Sequence, residues 1–271
     1  MRVRSPAVAG TFYPADPDLL VADVERCLNA AENAPDERQA RVAHQTRSAK
    51  ALIVPHAGYI YSGPVAGTAY APLRLRRGEI ERVVLLGPSH HVPFRGLAVP
   101  SVEAFLTPLG AVALDRSVLA GLRDFSQVCV LDVAHEFEHS LEVQLPFLQR
   151  ILDTFSLVPL VVGNASPEEV AEILEKLWGG PEMLLVISSD LSHYLDYAAA
   201  QQLDRETARH IEALRYEALG EDTACGRVPV RGLLLAARRR GLSVVTLDLR
   251  NSGDTAGPRD RVVGYGSFAF R

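Results

Sequence analysis

Short apolar runs alternate with helix-like segments over nearly the whole chain, and this alternation limits the possible folds more than any other feature. A short apolar run that stops at a Gly, Pro or Ser turn is typical of a buried strand. Strands that alternate with helices predict a parallel sheet covered by helices on both faces. We therefore predict an α/β fold, with a largely parallel central sheet, as a single domain over residues 1–271.

Hydrophobic spacing and turn residues predict the individual elements. The predicted strands are 51–54, 82–86, 157–162, 184–187, 243–249 and 262–270, with shorter or irregular pieces at 97–102 and 111–114. The predicted helices are 16–32, 63–70, 116–125, 139–153, 166–178, 204–218 and 230–240. The polar stretch 33–48 is predicted to be a loop.

Charge and composition indicate a water-soluble protein of the cytoplasm. The net charge is −5, which gives no sign of a nucleic-acid footprint. No apolar run reaches the roughly 18 residues that a membrane span needs. The start MRVRSPAVAG lacks the apolar core of a signal peptide. The three cysteines are widely spaced and fit neither a disulfide framework nor a paired-cysteine zinc site. We expect no nucleic-acid partner and no membrane association.

Three predicted strands end in turns that carry histidines. They lead to His56, to the pair His90 and His91, and to Asp190 with His193. Ligands in open α/β sheets bind at the carboxyl ends of strands. One such histidine would more often be structural, but three at equivalent positions favour a metal or acid–base site. Because neighbours in an extended segment point in opposite directions, we favour His90 over His91.

Asp190 and His193 allow two interpretations. If a helical turn follows Ser188 and Ser189, the two side chains share one face, and the carboxylate can orient the imidazole for metal binding or proton transfer. Asp190 is also a favourable helix N-cap, and the two roles are compatible.

Two further segments carry reactive side chains. Cys225 stands just before a predicted helix, where a thiol is biased towards thiolate, although a lone cysteine is more often buried filler. His139 and Glu142 are one helical turn apart and fit either a pocket or the polar start of an amphipathic helix. The chain contains no Gly-rich phosphate loop, nucleophile elbow or HExxH pair, so we expect no nucleotide cofactor.

Five motifs in this order resemble the Memo family: PHAGYIYSG, GPSHH, EHSLEVQLPFLQ, SSDLSHY and the ACG before the last helix. AGTFYP near the start and the final GYGSFAF extend the resemblance over the whole chain. The family is named for the mammalian mediator of ErbB2-driven cell motility, and its prokaryotic members are protein B of the AmmeMemoRadiSam system. The resemblance implies a fold like that of the class III extradiol dioxygenases, whose iron is held by two histidines and a glutamate.

In the Memo family His, His and Cys take those places. The resemblance implies His56, His90 and Cys225 as metal ligands. It implies Asp190 and His193 as catalytic residues, with His193 matching the acid–base histidine of the dioxygenases. The remaining pocket candidates are His91, His139 and Glu142. Val228 stands where the mammalian member has a histidine, so any role of that histidine is lost here.

Three functions remain open, and the sequence does not decide whether the protein is an enzyme. Two imidazoles and a thiolate suit iron, copper or zinc, which favours a redox enzyme that uses iron or copper. The thiolate argues against a true extradiol dioxygenase, since oxygen-activating iron(II) is typically held by two histidines and a carboxylate. The alternatives are a non-catalytic module that binds an anionic peptide or small ligand, and a metal-assisted hydrolase. The system name adds a radical-SAM protein as an expected partner.

Overall fold

The computed structural model describes residues 2–32 and 44–271. The α-helices are α1 (Pro17–Glu32), α2 (residues 44–47), α3 (Tyr59–Tyr70), α4 (Arg116–Leu122), α5 (Asp132–Glu136), α6 (His139–Glu142), α7 (Leu145–Ile151), α8 (Pro167–Lys176), α9 (Tyr197–Glu212) and α10 (Arg227–Arg239). The strands are β1 (Val3–Arg4), β2 (Ala51–Val54), β3 (Arg82–Pro88), β4 (Leu97–Val99), β5 (Ala104–Thr107), β6 (Gly110–Ala113), β7 (Val128–Val130), β8 (Ser156–Val162), β9 (Met183–Ser188), β10 (His193–Leu195), β11 (Val244–Asn251) and β12 (Val262–Phe270).

A nine-stranded sheet forms the centre of the fold. Its order is β10-β12-β2-β9-β3-β8-β4-β7, and β11 pairs with β12. The four middle strands β2, β9, β3 and β8 are parallel neighbours. β12 runs antiparallel to β2, and β4 runs antiparallel to β8. The sheet is therefore mixed but mostly parallel at its centre, which confirms the predicted α/β class. β1, β5 and β6 form a separate three-stranded sheet.

Continuous apolar runs explain why the middle strands lie at the core. Every residue of β2 (ALIV) and of β9 (MLLVIS) is buried. Such runs, without polar alternation, are typical of strands that helices cover. Helix α3 packs against β2 and β12, and α10 packs against β3 and β9. Of the helices in the described residues, none has the length and apolar character needed to cross a bilayer.

Two predicted helices differ from the observed ones at their starts. α3 begins at Tyr59, one turn before the predicted start, because Tyr59 is fully buried and packs on Phe147 with ring centroids 5.0 Å apart. α9 begins at Tyr197 and not near Asp204, since Asp196 caps it by accepting the N–H groups of Ala198 and Ala199.

The predicted helix 139–153 is wrong as a single element. It is divided into α6 and α7, because Pro146 lies in the first turn of α7 and has no N–H to continue the preceding helix. Of the predicted loop 33–48, residues 33–43 lie outside the described residues and 44–47 form α2. β1, β5, β7 and β10 were not predicted; β1, with two residues, is too short to show a period.

Candidate metal centre

Three neighbouring parallel strands bring their loops to one edge of the sheet. β2, β9 and β3 are adjacent and parallel. His56, Asp190 and His90 each stand two residues beyond the end of one of these strands. The backbone N–H of His56 donates to Asp190 Oδ1 over 2.7 Å, which joins two of the loops.

A third histidine, from the start of α6, completes a triad. His56, His90 and His139 offer ligand nitrogens that all lie within 4.8 Å of one another. The ring centroids of His90 and His139 are 4.5 Å apart, and those of His56 and His90 are 5.2 Å apart. Nitrogens that share one metal at about 2.0–2.1 Å lie at most about 4 Å apart, so a small movement closes this triad on an ion.

Hydrogen bonding fixes which nitrogen His56 can offer. The Ser188 hydroxyl donates its one proton to the Ser140 carbonyl over 2.6 Å. It must therefore accept from its other partners, which are Gln144 Nε2 at 2.8 Å and His56 Nδ1 at 2.9 Å. His56 thus carries its proton on Nδ1, and the lone pair of Nε2 is free for a metal.

His90 is oriented by a buried carboxylate. Its Nδ1 lies 2.8 Å from Glu138 Oε1, and its backbone N–H donates to Glu138 Oε2 over 2.6 Å. Burial alone would raise the pKa of Glu138, but the hydrogen bond and charge of His90 outweigh burial and lower the pKa to about 2. A carboxylate–histidine pair of this kind sets the tautomer and increases the basicity of a metal-binding imidazole. It leaves Nε2 of His90 as the ligand atom.

Two of the three histidines, His56 and His139, resist protonation when no metal is bound. Burial, followed by the charge of His90, lowers the pKa of His56 to about 3. Burial, followed by the charges of His56 and His90, lowers the pKa of His139 to about 4. Clustered imidazoles that resist protonation keep their lone pairs available to a cation.

Cys225 lies beside His56 at the amino end of α10. Its Sγ is 3.3 Å from His56 Nε2 and accepts the backbone N–H of Asp190 over 3.3 Å. A sulfur and a nitrogen bound to one metal are separated by a similar distance, given bonds of about 2.3 and 2.0 Å. The group of three that converges is nevertheless His56, His90 and His139, with Cys225 at the side of His56.

The expected thiolate bias of Cys225 is wrong for the metal-free site. Burial, followed by the negative charge of Asp190, raises the pKa of the thiol well above its ordinary value. These effects outweigh the favourable helix N-terminus, so a bound cation would be needed to hold the thiolate.

Asp190 and His193 lie on one short segment, but its backbone is not the predicted helical turn. Residues 189–192, between β9 and β10, form no helical turn for Asp190 to cap, and His193 begins β10. The Nδ1–H of His193 donates to the Leu191 carbonyl over 2.8 Å, so Nε2 is its free nitrogen. Burial raises the pKa of Asp190.

The other two pocket candidates, His91 and Glu142, do not belong to the triad. His91 is exposed, with its ring centroid 6.1 Å from that of His139. Glu142 is fully buried and directed elsewhere: it pairs with Arg4 and accepts the backbone N–H groups of Ala7 and Val8. It therefore anchors the amino-terminal segment. Val228 packs against the hydrophobic core.

A cleft of about 630 Å³ opens above the triad. Aromatic and polar side chains form most of its wall. The lining residues are Phe12, His56, Ala57, Gly58, Tyr61, His90, His139, Asp190, His193, Tyr194, Cys225, Ser252, Gly257, Pro258, Arg261, Val263 and Tyr265.

The sequence interpretation missed the residues that orient the ligands. Ser188 and Gln144 show no local signal, because they reach His56 only through tertiary contacts. Glu138 had a signal, since it directly precedes His139, but its role depends on the packing of His90 against α6. Phe12, whose ring centroid lies 4.7 Å from that of His139, comes from the amino-terminal segment, 127 residues earlier in the sequence.

Comparisons with known proteins find relatives that match the chain over nearly its full length. Residues 4–269 match the family model described as Memo-like protein. A MEMO1 family protein of Saccharolobus solfataricus is 37% identical over 277 residues, which cover 97% of each chain. One of Sulfolobus acidocaldarius is 34% identical over 291 residues, which cover 99% of each chain.

A solved structure shows the same fold. An uncharacterized protein from Escherichia coli K12 superposes with a TM-score of 0.57 at 13% identity, over 81% of this chain and 98% of that one. At this identity the likeness concerns the fold alone. The full-length family match and the identities above 30% show that this chain belongs to the Memo-like family, also called the MEMO1 family.

Proposed function

We propose that this protein is a metal-dependent enzyme that holds one transition-metal ion between His56, His90 and His139. The observation that supports it best is the convergence of three imidazoles, whose ligand nitrogens lie within 4.8 Å of one another, at the wall of a cleft. Two of them have their Nδ1 atoms occupied by Ser188 and Glu138. Purely structural histidines do not need their free nitrogens to converge.

The donor set suits iron or copper, with zinc as the non-redox alternative. Imidazole is a good ligand for all three metals, and a nearby thiolate favours copper(I) or iron. We propose Cys225 as an additional donor on the side of His56, where Sγ is 3.3 Å from Nε2. When bound, the metal would supply electron transfer or Lewis acidity to a substrate in the cleft.

The chain's own residues would orient the ligands and move protons. Asp190 ties the His56 loop to the end of β9 through the N–H of His56. His193, at the cleft wall, has a free Nε2 and is the proposed acid–base group. Glu138 holds His90.

A metal-assisted hydrolase is the second candidate. Three histidines with an open position form a known donor set for catalytic zinc, which lowers the pKa of bound water. Asp190 and His193 would then manage the water. A radical-SAM protein as partner remains a proposal that rests on the family resemblance alone.

Elemental analysis of anaerobically purified protein tests the proposal. We expect near-stoichiometric iron or copper in the wild type and a large loss in His90→Ala and His139→Ala. His210→Ala is the matched control, because His210 lies on α9 and pairs only with Glu206 among the contacts described. Triad variants that keep wild-type metal would overturn the site, and zinc alone would favour the hydrolase.

A further inference from the structure

A single arginine at the cleft wall, Arg261, has no acidic partner among the residues that the structure describes. We propose that Arg261 binds the anionic group of a small, flat organic substrate whose other end faces the histidine triad. This inference rests on the proposed function, and it adds the class of substrate. It concerns an anion-binding position at the side of the cleft formed by β10 and the start of β12.

Arg261 differs from most arginines in the described part of the chain. Arg4, Arg74, Arg82 and Arg150 each have a carboxylate oxygen within 4.0 Å. For Arg261 no carboxylate of the described residues lies within that distance, and its guanidinium instead lies 4.6 Å from the ring centroid of Tyr194. Its hydrogen-bond donors are therefore available to a ligand.

The backbone places Arg261 and Tyr194 together. His193 pairs with Val263, and Leu195 pairs with Val262, so Tyr194 is the extra residue of a β-bulge. Tyr194 has a φ of 61°, which is rare for a residue with a side chain. Bulges often re-aim side chains beside active sites, and residues held in this region of φ cluster at such sites.

The strained bulge places Tyr194 against the Arg261 guanidinium. Its extra residue supports the guanidinium that precedes β12, while the neighbouring His193 and Val263 line the same cleft. A stacked guanidinium is pre-ordered, so it loses less side-chain freedom when a ligand binds.

The composition of the cleft wall indicates what the ligand is. Arg261 is the one lysine or arginine among the lining residues, and Asp190, the one acidic residue among them, is buried with its Oδ1 on the N–H of His56. Phe12, Tyr61 and Tyr265 add aromatic side chains to the lining. A flat apolar body with one anionic end matches this wall. The fork of a guanidinium binds carboxylate and phosphate oxygens alike, in pairs.

Binding of three small probes to the purified protein tests the proposal. The probes are 4-hydroxybenzoate, phenyl phosphate and the neutral 4-hydroxybenzamide, measured by calorimetry or ligand-observed NMR. We expect at least one anion to bind about tenfold more tightly than the amide, as for one charge-assisted contact. Preference for the carboxylate or for the phosphate identifies the anion.

Substitutions of Arg261 test whether this residue causes the preference for the anionic probes over the neutral amide. Arg261→Gln should abolish it, and Arg261→Lys should retain part of it. Arg259→Gln is the matched control, because Arg259 also stacks on a tyrosine, 4.5 Å from the ring centroid of Tyr197, but does not line the cleft. Equal binding of all three probes to the wild type, or an undiminished preference in Arg261→Gln, would overturn the proposal.

Running the same titrations with metal-free protein separates this inference from the proposed function. An Arg261-dependent preference in a protein that never holds metal would sustain the anion site and reject the metal enzyme. Metal bound by the triad in both wild type and Arg261→Gln, with no anion preference in either, would sustain the metal site and reject the anion site.

Discussion

The carboxylate of Glu138 binds both the imidazole and the backbone N–H of His90. Oε1 lies 2.8 Å from His90 Nδ1, and Oε2 accepts the backbone N–H over 2.6 Å. The carboxylate also accepts the N–H of Ser140 and so caps α6, the helix that carries His139. One buried side chain therefore positions two of the three histidines.

Glu138→Gln should weaken metal binding without removing a ligand. The amide keeps the shape but loses the charge that makes His90 more basic, and loss of such a partner costs about 10- to 100-fold in metal affinity. Competition titration with a chelator measures the change. Glu136→Gln, at an exposed position two residues away, should bind as the wild type does. An unchanged affinity in Glu138→Gln would show that His90 needs no anionic partner.

His193→Ala should retain metal and lose turnover. His193 lines the cleft with a free Nε2 but is outside the triad, so its loss should remove the proposed proton transfer and leave the metal ligands in place. General acid–base groups contribute about 10²–10⁴-fold to rate. The measurements are metal content and turnover of an anionic substrate with and without added imidazole, which should rescue part of the rate. A loss of metal equal to that in His56→Ala would make His193 a ligand.

Glu142→Gln should destabilise the fold strongly. Glu142 and Arg4 form a buried ion pair, and their side chains are 0% and 5% exposed. Removing one partner of such a pair leaves an uncompensated charge, at a cost of about 3–5 kcal/mol. Urea unfolding measures it. The control Glu168→Gln changes an exposed first-turn residue of α8 and should cost less than about 1 kcal/mol.

The raised pKa of Asp204 predicts that the folded protein loses stability as the pH rises. Burial raises its pKa to about 6, against the hydrogen bonds from Ser192 that lower it. The folded chain therefore holds this proton where the unfolded chain has released it. The free energy of unfolding should fall between about pH 4 and pH 6, by about 2–3 kcal/mol from this group.

Asp204→Asn removes the titration. The difference in stability between wild type and Asp204→Asn should shift in favour of the variant as the pH rises through that window. Denaturant unfolding at pH 4, 5, 6 and 7 measures the difference. Asp222→Asn, at an exposed position, is the control. A constant difference across this range would contradict the raised pKa.

Metal removal should leave the fold intact. The triad comes from loops and a helix start at the edge of a sheet whose middle strands are buried, so the core does not depend on an ion. Chelator-treated protein should unfold cooperatively, within a few degrees of the untreated midpoint, since a metal bound only to the native state adds stability by mass action. Cys225→Ser should behave similarly, with reduced metal occupancy. Unfolding upon metal removal would mean that the site is structural.

Local sequence patterns were sufficient for the class of fold. The buried runs of β2 and β9 and the capping box that starts α8 are signals carried within a few residues, and they appear at the predicted places. The strand-end positions of His56 and His90 followed from the same signals, because parallel strands must share one edge.

Tertiary structure alone decided which side chains meet. His139 joins the triad because α6 packs beside the end of β3. Three kinds of contact join residues far apart in sequence: the acceptors that hold His56 and His90, the ion pair of Glu142 with Arg4, and the stacking of Arg261 on Tyr194. Periodicity reports the environment of one segment, whereas these contacts depend on how several segments pack together.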